Sequence, residues 1–182
     1  MGYTLAQPTT VRVKRNYMKQ NVVDVLMYLF ENIITDENPV LPEHEYMFDR
    51  LEDMGFPQHE ILLAFDWLED LAEIHTEQMS SDDEHAVLSQ PLNQSIRVYS
   101  ELEKILLEPD CISFLMHLEQ NKIINTLSRE IILDRVTALD VELELEQLKW
   151  IVMIVLYSQP GEENAYFWME NLIFDNTMSY MQ

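Results

Sequence analysis

Three glycines in 182 residues leave few places where the backbone can pass freely through positive φ. That scarcity excludes a hairpin-rich all-β fold and a glycine-lined phosphate loop. One cysteine, Cys111, rules out an intrachain disulfide and any cysteine-based metal cluster. It fits a reducing compartment, and we read the protein as cytoplasmic. Long apolar runs are also missing. The longest, Trp150 to Tyr157, falls far short of the roughly 20 residues a membrane-spanning helix needs. Residues 1–17 lack the apolar stretch of a secretory leader.

Catalytic signatures are equally absent. No Gly-x-Ser-x-Gly, Walker-type or dinucleotide-binding glycine pattern occurs. The five histidines, His44, His59, His75, His85 and His117, never stand three or four residues apart, so no helical face pairs two as metal ligands. Cys111 follows Pro109-Asp110 near a helix start, where a thiolate would gain stability. The commoner role of such a residue is that of a small buried hydrophobe. Adjacent carboxylates such as Asp82-Asp83 and Glu162-Glu163 are expected on solvated faces of so acidic a chain and carry no catalytic signal. The sequence therefore predicts no catalytic residue, no cofactor and no bound metal.

What the chain does have is acid. Thirty-three Asp and Glu against eleven Lys and Arg give a formal charge of −22. The distribution is uneven. Residues 1–17 carry Arg12, Lys14 and Arg15 without an acid, whereas residues 18–95 carry 18 acids and only Lys19 and Arg50. Residues 96–150 hold 11 acids and six bases, and residues 151–182 hold four acids and no base. A field of this sign repels nucleic-acid phosphates and anionic lipid and attracts basic proteins. High charge of one sign also serves solubility alone. The expected partner is a basic protein, with no direct nucleic-acid contact and no membrane. Nothing in the sequence indicates an oligomeric state.

Apolar spacing predicts a mostly α protein. Val22, Leu26, Leu29 and Ile33 share one face of a helix over 18–33. Pro39 and Pro42 mark a turn region, and a second helix follows over 43–54. Gly55 stops it, and Pro57 suits the first turn of a third helix over 57–74. Residues 76–95, with Ser80-Ser81-Asp82-Asp83-Glu84, read as an acidic linker or loop. Ile96 to Tyr99 alternates like a short strand. Ser100 and Glu103 have capping-box spacing, and Pro109 interrupts the helix they open. Further helices are expected over 110–121, from a Thr126 or Ser128 cap to Leu139, over 145–158 and over 162–174. The segment 145–158 is apolar nearly all round and should be the central helix. The expected organisation is a disordered extension over 1–17, an acidic three-helix unit over 18–75, the loop over 76–95 and a C-terminal unit of four to five helices over 96–182. Met18 is the expected natural start.

Two motifs invite a functional reading. Met54-Gly55-Phe56, followed by Ala64-Phe65 and Leu68, resembles the loop and following helix of ubiquitin-associated three-helix domains. There the loop presents an apolar patch, so Met54, Gly55 and Phe56 form the candidate partner patch. The alternative is a glycine cap with a phenylalanine packed on its own helix pair. Residues 126–158 could form a helix-turn-helix. A DNA reader needs bases on its recognition helix, and here Arg129, Arg135 and Lys149 alternate with Glu130, Asp134 and Glu146.

Several segments together resemble the bacterial Smg family. They are Asp24-Val25-Leu26-Met27-Tyr28-Leu29-Phe30-Glu31-Asn32, Gly55-Phe56, Trp67-Leu68-Glu69, Arg129-Glu130, Ala138-Leu139-Asp140, Leu148-Lys149-Trp150 and Pro160-Gly161-Glu162-Glu163-Asn164-Ala165-Tyr166. The likeness runs from about Met18 to about Asn176. It implies a small acidic cytoplasmic protein with no catalytic residue to carry over. The family's usual gene neighbourhood suggests a partner in nucleic-acid processing or translation.

Overall fold

The computed structural model describes residues 21–35, 44–81 and 97–179. The expected extension over 1–17, the Pro39–Pro42 turn and most of the acidic loop lie outside the described residues. Eight helices are described: α1 (Val22–Thr35), α2 (His44–Asp53), α3 (Gln58–Ser81), α4 (Glu101–Leu106), α5 (Pro109–Gln120), α6 (Thr126–Leu139), α7 (Leu145–Ser158) and α8 (Glu163–Ser179). The protein is all-α, as the spacing of its apolar residues requires.

Local chemistry explains most boundaries. At the end of α2, Gly55 adopts φ 89°. Its N–H donates to Glu52 O at 2.8 Å, and the Phe56 N–H donates to Leu51 O at 3.1 Å. This is a Schellman ending, in which the residue after the glycine packs back on the last turn. Leu51 and Phe56 are accordingly both buried. Ser100 and Glu103 close the expected capping box, with the Ser100 N–H donating to Glu103 Oε2 at 2.6 Å and the Glu103 N–H to Ser100 Oγ at 3.2 Å. Pro109 opens α5, where its missing N–H costs nothing.

The structure departs from the sequence reading at several points, and α8 continues to Ser179, past the expected end at 174. α3 continues to Ser81, past the expected end at 74, because Glu77, Gln78 and Met79 are good helix formers with no breaker among them. α6 is capped by Asn125 rather than Thr126 or Ser128, the Asn125 Oδ1 accepting the Ser128 N–H at 2.9 Å. The alternating segments do not make a sheet. Arg97 to Ser100 is extended and unpaired, and a single parallel bridge joins Leu107 to Leu143, with the Leu143 N–H donating to Leu106 O at 2.8 Å.

α7 is the centre, as its all-round apolarity predicts. Every residue from Leu148 to Leu156 is buried. It packs against α1, α3, α5, α6 and α8. α1 is nearly as apolar, with Val22, Val23, Val25, Leu26, Met27, Leu29 and Phe30 buried between α3 and α7. The two helical groups seen in the sequence thus share one hydrophobic core. Phe30 of α1 meets Trp150 of α7 edge-on at 6.4 Å. Trp67 of α3 donates its Nε1–H to Arg135 O of α6 at 2.8 Å. Such a buried bond is worth about 1 kcal/mol, and leaving the carbonyl unmet costs more.

Candidate functional site

The Met54-Gly55-Phe56 loop is placed by the Schellman ending of α2. Phe56 turns inward: it is 3% exposed and its ring lies 5.7 Å from that of Tyr28 on α1. Met54 is half-buried against the core, and Gly55 is exposed. Of the candidate patch, only Gly55 and part of Met54 reach the surface. Phe56 is buried, and its ring contact is with Tyr28 of α1.

The exposed face of α3 has a simpler character. Asp66, Glu69, Asp70 and Glu73 are all exposed, and their spacing of three, four and seven residues puts them on one face. Leu62 and Leu63 are exposed at the N-terminal end of that face. No Lys or Arg occurs on α3, and Arg50 is the only one on α2.

Most bases of the C-terminal helices and of the segment before them are bound to carboxylates. Arg97 donates from Nε to Glu130 Oε1 at 2.8 Å and from Nη2 to Glu130 Oε2 at 3.0 Å. It also meets both oxygens of Glu103, at 2.7 and 2.9 Å, and lies 5.0 Å over the Tyr99 ring. These bonds hold the Glu103 and Glu130 carboxyls below their usual range. Arg129, buried on α6, binds Glu119 and Glu130. Arg135 is bound by Asp134 at 2.8 Å and reached by Asp70 at 3.4 Å. Lys149 is buried and donates to Glu146 at 2.6 Å.

These pairings bear on the helix-turn-helix reading of residues 126–158. In the segment 126–158, the second helix is α7, which is buried and cannot enter a groove. Arg129, Arg135 and Lys149 are spent on internal carboxylates, so none is presented to phosphate.

An open cleft of about 630 Å³ lies between the α5–α6 turn and the Gly161-Glu162 turn. Its carboxylates are bound internally, while no side-chain partner is seen for the Lys122 ammonium among the described residues. Glu162 Oε1 accepts from Asn125 Nδ2 and Ser128 Oγ, both at 2.6 Å, and Glu119 is bound to Arg129. Cys111 is buried and donates Sγ–H to Leu143 O at 3.3 Å. Burial pushes its thiol up to about 11, so it is a packing residue and no nucleophile at neutral pH. Among the described residues, no cluster of His, Cys, Asp and Glu could hold a metal, and no helix is long and apolar enough to cross a membrane.

Sequence reasoning missed a third surface. Tyr157 on α7 and Phe167 on α8 are each 56% exposed, and Trp168 is 36% exposed. Tyr157 packs edge-on against Phe30 at 5.4 Å and lies 5.5 Å from Tyr166, which lies 5.7 Å from Phe167. Exposed aromatics look like core residues in a sequence, so only the fold distinguishes them.

Fold and composition together define an acidic all-α protein. Comparison with known proteins places it further. The model of the family described as "Protein of unknown function (DUF494)" matches residues 22–182. The chain is 40% identical over 166 residues to the Protein Smg homolog of Thioalkalivibrio sulfidiphilus, covering 90% of this chain and 99% of that protein. It is 45% identical over 159 residues to the Protein Smg homolog of Nitrosococcus oceani, covering 87% and 96%. It is 40% identical over 159 residues to Protein Smg of Sodalis glossinidius, covering 87% and 98%. No solved structure matches. The chain belongs to the bacterial Smg (DUF494) family, as the segments from Asp24 to Tyr166 imply.

Proposed function

We propose that this protein is a non-enzymatic cytoplasmic adaptor that docks on a basic partner, the class expected being a nucleic-acid-processing or translation factor. The observation that carries the reading is the face of α3. Asp66, Glu69, Asp70 and Glu73 form one acidic face without a base on the helix, and exposed Leu62 and Leu63 adjoin it. Carboxylates steer a basic partner and raise its association rate, while apolar contacts hold the complex once formed. Met54 and Gly55 adjoin this helix at its N-terminal end and supply the exposed remainder of the loop.

The test is affinity purification of the full chain from its native cell at low and moderate salt, beside the variant D66N/E69Q/E73Q. The expected result is a basic protein retained at low salt, released at moderate salt and lost with the variant. Reproducible recovery of no basic protein at low salt would sink the reading. So would recovery that the variant leaves intact.

A further inference from the structure

The aromatic surface between α7 and α8 has a composition that points to its occupant. Exposed Tyr157, half-buried Tyr166 and exposed Phe167 form a chain of ring contacts, tilted between the tyrosines and edge to face between Tyr166 and Phe167, anchored in the core through Phe30, which is 7% exposed. A linked group of exposed aromatics is a different matter from scattered surface apolars and marks a contact surface. Its electrostatic setting is one-sided. α1, α3 and α8 contain no Lys or Arg, and the single base of α7, Lys149, is buried and bound to Glu146. One carboxylate is placed directly at the rings: the Tyr166 hydroxyl donates to Glu170 at 3.2 Å. Aromatic faces present negative potential, and α1 and α8, the helices that flank Tyr157, carry no Lys or Arg to compete for them.

We propose that the ledge formed by Tyr157, Tyr166 and Phe167 receives arginine side chains of the basic partner. The proposal rests on the docking reading above and deepens it by naming the side chain recognised. A guanidinium is flat, weakly hydrated and stacks on aromatic rings, whereas an ammonium is compact and strongly hydrated. Carboxylates alone also favour arginine through forked hydrogen bonds, and an aromatic ledge beside them adds a stacking preference that the rings supply. Nucleobases also stack on aromatics, yet a strand of phosphates meets only carboxylates here.

The experiment titrates the full chain with two fluorescent peptides of equal length and charge, octa-arginine and octa-lysine, read by anisotropy at two salt concentrations. The arginine peptide should bind more tightly, by about 2- to 5-fold for each arginine that stacks on an exposed ring. F167A and Y157A should diminish that advantage and leave the lysine affinity unchanged. F167W, which keeps a stacking face, should retain it, and far-UV circular dichroism verifies that each variant is folded. Equal affinities for the two peptides, or an arginine preference that F167A and Y157A leave undiminished, overturn the ledge and leave the docking reading standing. Absence of binding by either peptide at low salt overturns both. Sedimentation showing a dimer that F167A dissociates overturns the ledge as an arginine site, because a second copy then covers it.

Discussion

Lys122 ends α5 in the left-handed region, with φ 56°. Its N–H donates to Glu119 O at 3.0 Å, and the Ile123 N–H donates to Leu118 O at 2.9 Å. The ending is the same Schellman geometry that Gly55 gives α2, but here a side chain bears it. A β-carbon in this conformation costs about 1 kcal/mol. Lys122→Gly should therefore raise stability by up to about 1 kcal/mol, read as a higher urea midpoint at unchanged slope. Arg97 makes the opposite case. It binds both oxygens of Glu103 and of Glu130, and the two carboxyls are held below their usual range of about 4.3. A lowered folded pKa stabilises the protein above the unfolded value, and that stability is lost as pH falls through the folded values. Arg97→Ala should cost about 1–2 kcal/mol at pH 7, with a difference from the parent that shrinks below pH 4. Equal destabilisation at pH 3 and pH 7 would contradict this. Cys111, with its thiol pushed up to about 11 inside the core, should react with a thiol reagent only after unfolding.

At the level of elements, the sequence was most legible where periodicity and caps agree. Ser100 with Glu103, Gly55 and the apolar run of α7 each carry their structural reason in local chemistry, and the structure places each as expected. The failures share a cause. α3 outruns its expected end because acidity is compatible with an exposed helix face, so a polar stretch is not by itself a loop. Val141 to Leu145 alternates like a strand, yet within it only Leu143 pairs, because its neighbours lead into the α7 cap. Tertiary placement was invisible. Phe56 and Phe167 are both phenylalanines on amphipathic segments, but one is buried against Tyr28 and the other stands out beside Tyr166. The acidic face of α3 was legible as composition, and its alignment on one helical face followed from spacing alone. The aromatic ledge needed the fold, because Phe30 and Tyr157 lie on helices far apart in the chain. Central α7 should be the least tolerant element. Ile151→Ala, at a residue with no solvent exposure, should cost about 2–5 kcal/mol, against less than about 0.5 kcal/mol for the exposed Glu142→Ala on the approach to the helix.

At the level of the whole molecule, the decisive feature is that the acidic N-terminal helices and the mixed C-terminal helices share their interior. α1 and α3 cover α7, and α3 also lies on α6. Trp67 spans 68 residues of sequence to donate to Arg135 O at 2.8 Å. Phe30 supports both Trp150 in the core and Tyr157 at the surface, so the aromatic ledge rests on α1 as much as on α7. A core built this way should unfold as one unit. Helix loss by far-UV circular dichroism and tryptophan fluorescence should trace the same urea transition. Trp67→Phe keeps an aromatic side chain but removes the buried donor and some buried volume. It should lower the midpoint of that single transition by about 1–2 kcal/mol without splitting it, since the loss at the α3–α6 contact is felt by every helix sharing the core. Two resolved transitions in either protein would mean that the N-terminal helices form an independent domain, and the acidic face and the aromatic ledge would then belong to separately folding parts. A single transition makes them two faces of one body, which a basic partner must engage in a fixed relative geometry.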